Sequence, residues 1–181
     1  MHVIRRKSRG MPEAKKIQIA KAGLASIVGS AGEYLVMGEL LRRGVLAGLA
    51  PRNAPGFDVL ASDGHRAVHL RVKTKLSGGD WQWNAQSGKW NAPVFRRRAR
   101  NDYSVLVDLK HREVVSFFIV KTDKLEKWLQ HSHRKWLHKR GTQGQKHAPD
   151  NKKRILHESS PHLKELWRND WGVLRLKFPI E

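Results

Sequence analysis

The stretch GFDVLASDGHRAVHLRVKT, residues 56–74, predicts two short strands joined by a tight turn. Apolar and polar residues alternate on both sides of a central Asp-Gly dipeptide, which favours a hairpin. In this alternation Asp58 lies on one face of the first strand, while Arg71 and Lys73 share one face of the second. Antiparallel pairing of the two strands would therefore bring Asp58 near Arg71 and Lys73.

The pattern around this hairpin predicts a mixed α/β (α+β) fold, with a central sheet of about four or five strands and flanking helices. Apolar residues recur at helical spacing in some segments and alternate with polar residues in others. Thr122 and Asp123 offer caps for a later helix. The predicted elements are a helix over residues 22–43, strands over 56–61, 66–74, 103–109 and 115–121, a helix from 122, a short helix over 161–168 and an extended piece over 171–176.

The composition points to a polyanionic partner. The chain has 181 residues, with 36 Lys and Arg against 16 Asp and Glu, and a formal net charge of +20. Such an excess opposes compaction, and nucleic acid is the partner best able to balance it. The absence of cysteine excludes disulfides, Cys-ligated metals and thiol catalysis. The chain has no uninterrupted run of about 18 apolar residues and no signal peptide, so we expect a cytoplasmic protein without a membrane partner.

The basic residues divide the chain into three parts. Residues 1–21 form a basic N-terminal arm, 22–121 an α/β core, and 122–181 a basic, helical C-terminal extension packed on that core. The arm is either a solvated terminus or a further contact to nucleic acid. The basic side chains expected to contact nucleic acid are His69, Arg71, Lys75, Arg96, Arg97, Arg98, Arg100, Lys139 and Arg140.

Asp58 and Lys73 are residue types that phosphodiester hydrolysis uses. A carboxylate can hold Mg²⁺ or Mn²⁺, which polarises the phosphate and lowers the pKa of a water molecule. A lysine can orient the nucleophile or neutralise developing charge. Glu33, on the preceding helix, is a third candidate. The alternative is that Asp58 and Lys73 are ordinary surface residues on an antiparallel strand pair.

The stretches GSAGEYLVMGELLRRG, NAPGFDVLA and HLRVKTK follow one another in this chain. Their order and spacing resemble small bacterial members of the PD-(D/E)xK nuclease superfamily, which has the restriction-endonuclease-like fold. The later stretches DYSVLVDL, SFFIVKTDKLEKWL and LKELWRNDWGVL are also similar to that group. The resemblance implies a metal-dependent nuclease, with Asp58, Glu33 and the Val72 carbonyl as metal ligands and Lys73 as the catalytic lysine.

Arg71 departs from that superfamily, which has Glu, Asp or Gln at this position as a metal ligand or its substitute. Arginine has only hydrogen-bond donors and cannot bind a cation. Three alternatives stay open: Glu33, Asp58 and the Val72 carbonyl suffice; a carboxylate elsewhere replaces the missing ligand; or the site is inactive and binds phosphate through Arg71.

These alternatives give three hypotheses about function. The first is a Mg²⁺- or Mn²⁺-dependent DNA endonuclease. The second is an inactive nuclease fold that binds DNA or RNA. The third is a component of a larger nucleoprotein complex, and the sequence is also compatible with a homodimer.

Overall fold

The structure is a computed structural model that describes residues 21–51, 56–96, 99–111 and 113–180. The predicted N-terminal arm lies outside the described residues except at Lys21. The elements in chain order are helix α1 (Lys21–Arg42), strands β1 (Leu46–Leu49), β2 (Val59–Ser62), β3 (Ala67–Lys75), β4 (Trp81–Asn84), β5 (Asp102–His111) and β6 (Val114–Lys121), helix α2 (Thr122–His138), strand β7 (Lys153–Leu156), a π-helical turn (His162–Leu166) and a 3₁₀ turn (Trp171–Leu174).

A five-stranded mixed sheet in the order β1-β2-β3-β5-β6 forms the centre of the fold. The predicted hairpin is confirmed, since β2 and β3 pair antiparallel with Val59 opposite Leu70. The second predicted hairpin, β5–β6, is also antiparallel, and β3 pairs with β5 in parallel. A separate two-stranded sheet joins β4 to β7. The predicted mixed α+β architecture with flanking helices is therefore confirmed.

Each face of the central sheet has its own apolar core. On one face, Val36 and Leu40 of α1 pack in a cluster with Leu70 and Val105. On the other face, Leu106 of β5 packs in a cluster with Leu125 and Leu129 of α2 and with Trp81 of β4. Burying each such side chain contributes roughly 1.5–3 kcal/mol, so the alternation in β3 and β5 fixes which side chains face which helix.

Several elements differ from those that the sequence predicts. Strand β1 was not predicted, because its four residues are too few to show an alternation. Strand β7 lies within the segment predicted to be helical, and it pairs with β4, which is distant in sequence. The predicted extended piece at 171–176 begins instead with the 3₁₀ turn, in which Trp171 and Leu174 are buried.

The start of α2 also differs from the sequence prediction. Its N-cap residue is Lys121, and no side chain caps the helix there. The hydroxyl of Thr122 instead forms a hydrogen bond with the Ser104 hydroxyl, with 3.1 Å between the two oxygens. The hydroxyl is buried against β5 and is thus used for tertiary packing.

Helix α1 has a composition that sequence inspection did not single out. Residues 23–42 are long and apolar enough to cross a membrane, by length and composition alone. Core helices of soluble proteins share this property but are mostly buried, whereas 17% of this window is buried and one side of α1 packs against β1, β2 and β3.

Candidate nuclease-like site

Asp58 lies immediately before β2, where the β2–β3 ladder ends. Its carboxylate oxygen Oδ2 accepts a hydrogen bond from the Val72 N–H, with a nitrogen–oxygen distance of 2.7 Å. The N–H and C=O of one residue in an extended strand point to the same edge, so the Val72 carbonyl is directed toward Asp58 as well. Burial raises the pKa of Asp58, while the Val72 N–H and the charge of Arg71 oppose that rise.

Glu33 approaches Asp58 from α1. The preceding residue, Gly32, packs so tightly on Thr74 of β3 that a Cβ at position 32 would overlap the threonine side chain. This close approach fixes the position of α1 along β3 and brings Glu33 to the same end of the sheet as Asp58. Burial, and secondarily the charge of Asp58, raise the pKa of Glu33. The two carboxylates therefore lie within electrostatic reach of one another.

Asp58 opens into a cleft of about 270 Å³ on the α2 side of the central sheet, which we call the Asp58 cleft. Lys73 is exposed there, and in the described part of the chain no hydrogen bond or ion pair restrains its ammonium group. The cleft thus combines the Asp58 carboxylate, whose ionisation is disfavoured, with the exposed Lys73 ammonium group. The lining residues are Gly56, Phe57, Asp58, Arg71, Val72, Lys73, Trp83, Phe95, Ser104 and Leu106.

Arg71 follows Leu70, whose carbonyl accepts a hydrogen bond from the Asp58 N–H, and the Arg71 side chain has several partners. Its guanidinium donates to Asp102 Oδ2 at 3.3 Å and to the Arg96 carbonyl at 3.2 Å. The same group lies over the Phe95 ring, 5.6 Å from its centroid. These contacts direct Arg71 toward the start of β5 and offset part of its positive charge.

Asp102 is the residue that organises this part of the cleft. Its side chain is 5% exposed and accepts hydrogen bonds from Arg71 and from the Ala99 N–H. The imidazole of His69 also lies 3.1 Å from Asp102 Oδ1, and the ring stacks on Phe57 with centroids 4.5 Å apart. His69 and Arg71 are therefore held by one buried carboxylate.

The aromatic wall of the cleft is held in place from α2. Glu126 is buried and accepts hydrogen bonds from the N–H groups of Val94 and Phe95, at 3.0 Å each for the shorter contacts. Phe95 then makes an edge-to-face contact with Trp83, with centroids 6.4 Å apart. Because Phe95 also carries the Arg71 guanidinium on its face, Glu126 acts on the cleft through Phe95.

The other basic residues predicted to contact nucleic acid fall into three groups. Lys75 is 11% exposed; it lies 3.1 Å from Asp108 Oδ2 and over the Trp81 ring, so its charge is used within the fold. Arg97 and Arg98 lie outside the described residues. The remaining predicted contacts are exposed and are Arg96, Arg100, Lys139 and Arg140.

The site offers only a small set of metal ligands. Within the described ranges, no group of three or more His, Cys, Asp or Glu side chains could hold a metal ion. The oxygen donors at the site are the carboxylates of Asp58 and Glu33 and the Val72 carbonyl. Asp102, a candidate for a replacement carboxylate, already accepts hydrogen bonds from Arg71 and the Ala99 N–H.

Sequence reasoning missed Asp102, Glu126 and the cleft residue Phe95, whereas it had named Trp83 as an aromatic residue that either stacks on bases or packs on the fold. Asp102 stands directly before the apolar run of β5, but its role depends on the parallel pairing of β3 with β5, which brings it opposite His69. Glu126 lies among apolar residues of α2, and a buried carboxylate on a predicted apolar stripe is a signal that could have identified it.

Comparisons with known proteins find a similarity of fold. No protein-family model matches the chain, and no curated protein matches it in sequence. A solved structure described as a bacterial homing endonuclease, I-Ssp6803I, is similar with a TM-score of 0.50 and 12% sequence identity. The match covers 82% of this chain and 91% of that one. At this identity the comparison establishes that the chain shares its fold with a bacterial homing endonuclease.

Proposed function

We propose that this protein binds DNA and hydrolyses its phosphodiester bonds at the Asp58 cleft, with Mg²⁺ or Mn²⁺ as cofactor and in the manner of PD-(D/E)xK nucleases. One observation carries the proposal: Asp58, Arg71 and Lys73 line a single cleft, with Glu33 in electrostatic reach of Asp58. The fold shared with a homing endonuclease and the net charge of +20 support the same conclusion.

The donor set fits a hard divalent cation. Asp58, Glu33 and the Val72 carbonyl are all oxygen donors, and Mg²⁺ commonly binds to one or two carboxylates while keeping several waters. Burial is the main cause that raises the pKa values of both carboxyl groups; the charge of Asp58 adds to the rise at Glu33, and the charge of Arg71 opposes the rise at Asp58. When bound, the ion would polarise a phosphate oxygen and lower the pKa of a water molecule.

The chain's own residues supply the remaining functions. Lys73 can orient the attacking water or offset charge that develops on the phosphate, because its ammonium group is exposed in the cleft. Arg71, held by Asp102, presents donors that suit a phosphate oxygen. Trp83 and Phe95 line the cleft with aromatic surface, which would keep part of the bulk water away from a bound phosphate.

Cleavage assays test the proposal. Purified protein is incubated with plasmid, branched and single-stranded DNA in Mg²⁺, Mn²⁺ or chelator. We expect metal-dependent cleavage that is lost in Asp58→Asn and Lys73→Met and kept in Asp63→Asn, a matched carboxylate change at the other end of β2. No cleavage of any substrate, or equal cleavage by Asp58→Asn, would contradict the proposal.

A second candidate function is a non-catalytic nucleic-acid-binding module, alone or within a larger nucleoprotein complex. The observation that favours it is Arg71, whose charge lies where the superfamily has a metal ligand. This candidate predicts binding that weakens steeply with salt, persists in Asp58→Asn and weakens in Arg71→Glu. Metal-dependent turnover that requires Asp58 would rule it out.

A further inference from the structure

Helix α1 is apolar on the side that faces away from the sheet. Leu24, Ile27, Tyr34 and Leu41 are 42%, 52%, 58% and 46% exposed. A helix of a globular protein normally has a polar outer face, and one that is apolar all round is normally covered on both sides. The outer face of α1 therefore lacks a partner among the described residues.

The spacing of these residues predicts what covers them. Together with two small residues between them, the exposed apolar residues form a set of six positions that recur at alternating steps of three and four. This is the repeat by which one helix packs along another. We call this set the outer seam. It consists of Leu24, Ile27, Ala31, Tyr34, Gly38 and Leu41.

We propose that the outer seam pairs with the outer seam of a second copy of this chain, with the two α1 helices antiparallel. In that arrangement Ala31 lies opposite Tyr34 and Gly38 opposite Ile27, so each small residue faces a large one. Leu24 then lies opposite Leu41, and the pairing is self-complementary about a twofold axis between positions 31 and 34.

The charge distribution favours a protein partner on this face. Residues 21–51 carry three basic side chains, Lys21, Arg42 and Arg43, and two acidic ones, Glu33 and Glu39, in a chain whose net charge is +20. Two copies can therefore approach along α1 with less repulsion than along any strongly basic surface. Glu33 lies on the inner side of α1, so the outer seam can be altered without touching the Asp58 cleft.

A substitution at Gly38 distinguishes specific helix pairing from nonspecific hydrophobic association. Among the described residues, no atom lies within 4 Å of a Cβ added at Gly38, so packing within that part of the chain does not require glycine there. In the proposed dimer, Gly38→Leu would collide with Ile27 of the second copy. It should therefore weaken association, although it adds apolar surface and replaces a poor helix former.

The first experiment is sedimentation equilibrium of the full chain over a range of concentrations. We expect a dimer, with the dissociation constant raised at least about a hundredfold by Ile27→Glu and also raised by Gly38→Leu. Leu166→Glu, at another exposed leucine, is the matched control and should leave the constant unchanged. A monomeric wild type, or a Gly38→Leu variant that associates more tightly, would overturn the proposal.

The second experiment tests the antiparallel direction and uses the absence of native cysteine. Leu24→Cys and Leu41→Cys are combined in one variant. The two positions are about 25 Å apart along one helix, so a disulfide between them can form only between two copies. Oxidation should give a covalent dimer with the double variant and not with either single variant. Covalent dimers of the single variants would indicate parallel helices and overturn the arrangement.

A membrane is the competing occupant, because α1 is long and apolar enough to insert. Flotation with phosphatidylcholine vesicles distinguishes a membrane from a second copy of the chain as the occupant of the outer seam. We expect the protein to stay in the aqueous fraction. Vesicle binding that Ile27→Glu abolishes would overturn the dimer proposal. Because DNA cleavage is measured separately, failure of this proposal is distinguishable from failure of the proposed nuclease function.

Discussion

The two ends of strand β2 carry carboxylates with opposite properties. Asp63, in the turn after β2, accepts hydrogen bonds from the N–H groups of Lys177, Arg66 and His65, which lower its pKa to about 2. Asp58, before β2, accepts one N–H from Val72, and burial raises its pKa. The fold thus stabilises the charge at one end of the strand and disfavours it at the other.

This difference separates a carboxylate that is used within the fold from one that is placed as the proposed function requires. Asp63 fastens the β2–β3 turn to the C-terminal segment through Lys177, with a nitrogen–oxygen distance of 2.8 Å. Asp58 has a cleft on one side and Glu33 in electrostatic reach, and among the described residues its carboxylate accepts a hydrogen bond from the Val72 N–H. A carboxylate kept at a cost to stability, in a cleft beside an exposed lysine, is a property of functional sites.

The largest expected effect comes from neutralising Asp58. Asp58→Asn should reduce metal-dependent cleavage at least about 100-fold, or about 2.7 kcal/mol of transition-state stabilisation, because a ligand charge is lost. Its folding stability at neutral pH should rise or stay constant, since the amide oxygen can still accept the Val72 N–H. Cleavage rate and thermal unfolding are measured on the same preparation. A variant that cleaves normally, or one that loses activity only because it unfolds, would remove the contrast with Asp63.

The next effect concerns Arg71, the cation beside Asp58. Arg71→Gln should tighten the apparent Mg²⁺ affinity by roughly tenfold, because a positive charge near the cation is removed. Asp102 loses its partner in that variant, so Arg71→Gln with Asp102→Asn is the matched control for the uncompensated carboxylate. The Mg²⁺ dependence of cleavage gives the constants. Unchanged Mg²⁺ dependence together with weaker DNA binding would favour the non-catalytic candidate.

The pH dependence of stability should differ in sign between the two ends of β2. Because the pKa of Asp58 is raised on folding, its contribution to folding stability is most favourable at a pH below the ordinary pKa of 3.8. That contribution is lost as the pH rises through the raised, folded-state pKa. The stability advantage of Asp58→Asn over the wild type should therefore grow with pH. Thermal unfolding of both proteins between about pH 4 and about pH 8 measures it. An advantage that shrinks as pH rises would mean that the fold favours the Asp58 charge.

The smallest effect is expected at Asp63. The contribution of Asp63 to folding stability is fully present above pH 3.8, its ordinary pKa, and is lost as the pH falls toward its folded-state pKa of about 2. Asp63→Asn should lower the melting temperature at neutral pH, and the difference from the wild type should narrow in acid. Cleavage should be unaffected, because Asp63 lies outside the cleft. Loss of cleavage in a folded Asp63→Asn protein would show that the two ends of β2 are not independent.

The sequence predicted the two hairpins because the information for them is local. The alternation around the Asp-Gly turn determines the β2–β3 register, which brings the Asp58 end of β2 to Leu70 and its neighbour Arg71. The β5–β6 hairpin follows in the same way. The Asp58 and Lys73 part of the site could therefore be predicted from residues 56–74.

The rest of the site depends on contacts between distant parts of the chain. Asp102 reaches His69 and Arg71 only because β5 lies parallel to β3, and a parallel pair has no local turn signal. Strands β4 and β7 are only four residues each and pair across a long separation, so neither has a recognisable pattern. Lys75 has the charge of a phosphate contact, but Asp108 and Trp81, which engage it, come from other strands.

The most direct test of the central claim is a crystal of the protein soaked in Mn²⁺, with the ion located by its anomalous scattering. The proposed function predicts a peak between the carboxylates of Glu33 and Asp58 and the carbonyl oxygen of Val72. It also predicts that this peak is lost in Asp58→Asn crystals soaked in the same way. An Arg71 guanidinium in that space with no Mn²⁺ peak, in crystals that bind the ion elsewhere, would contradict the claim.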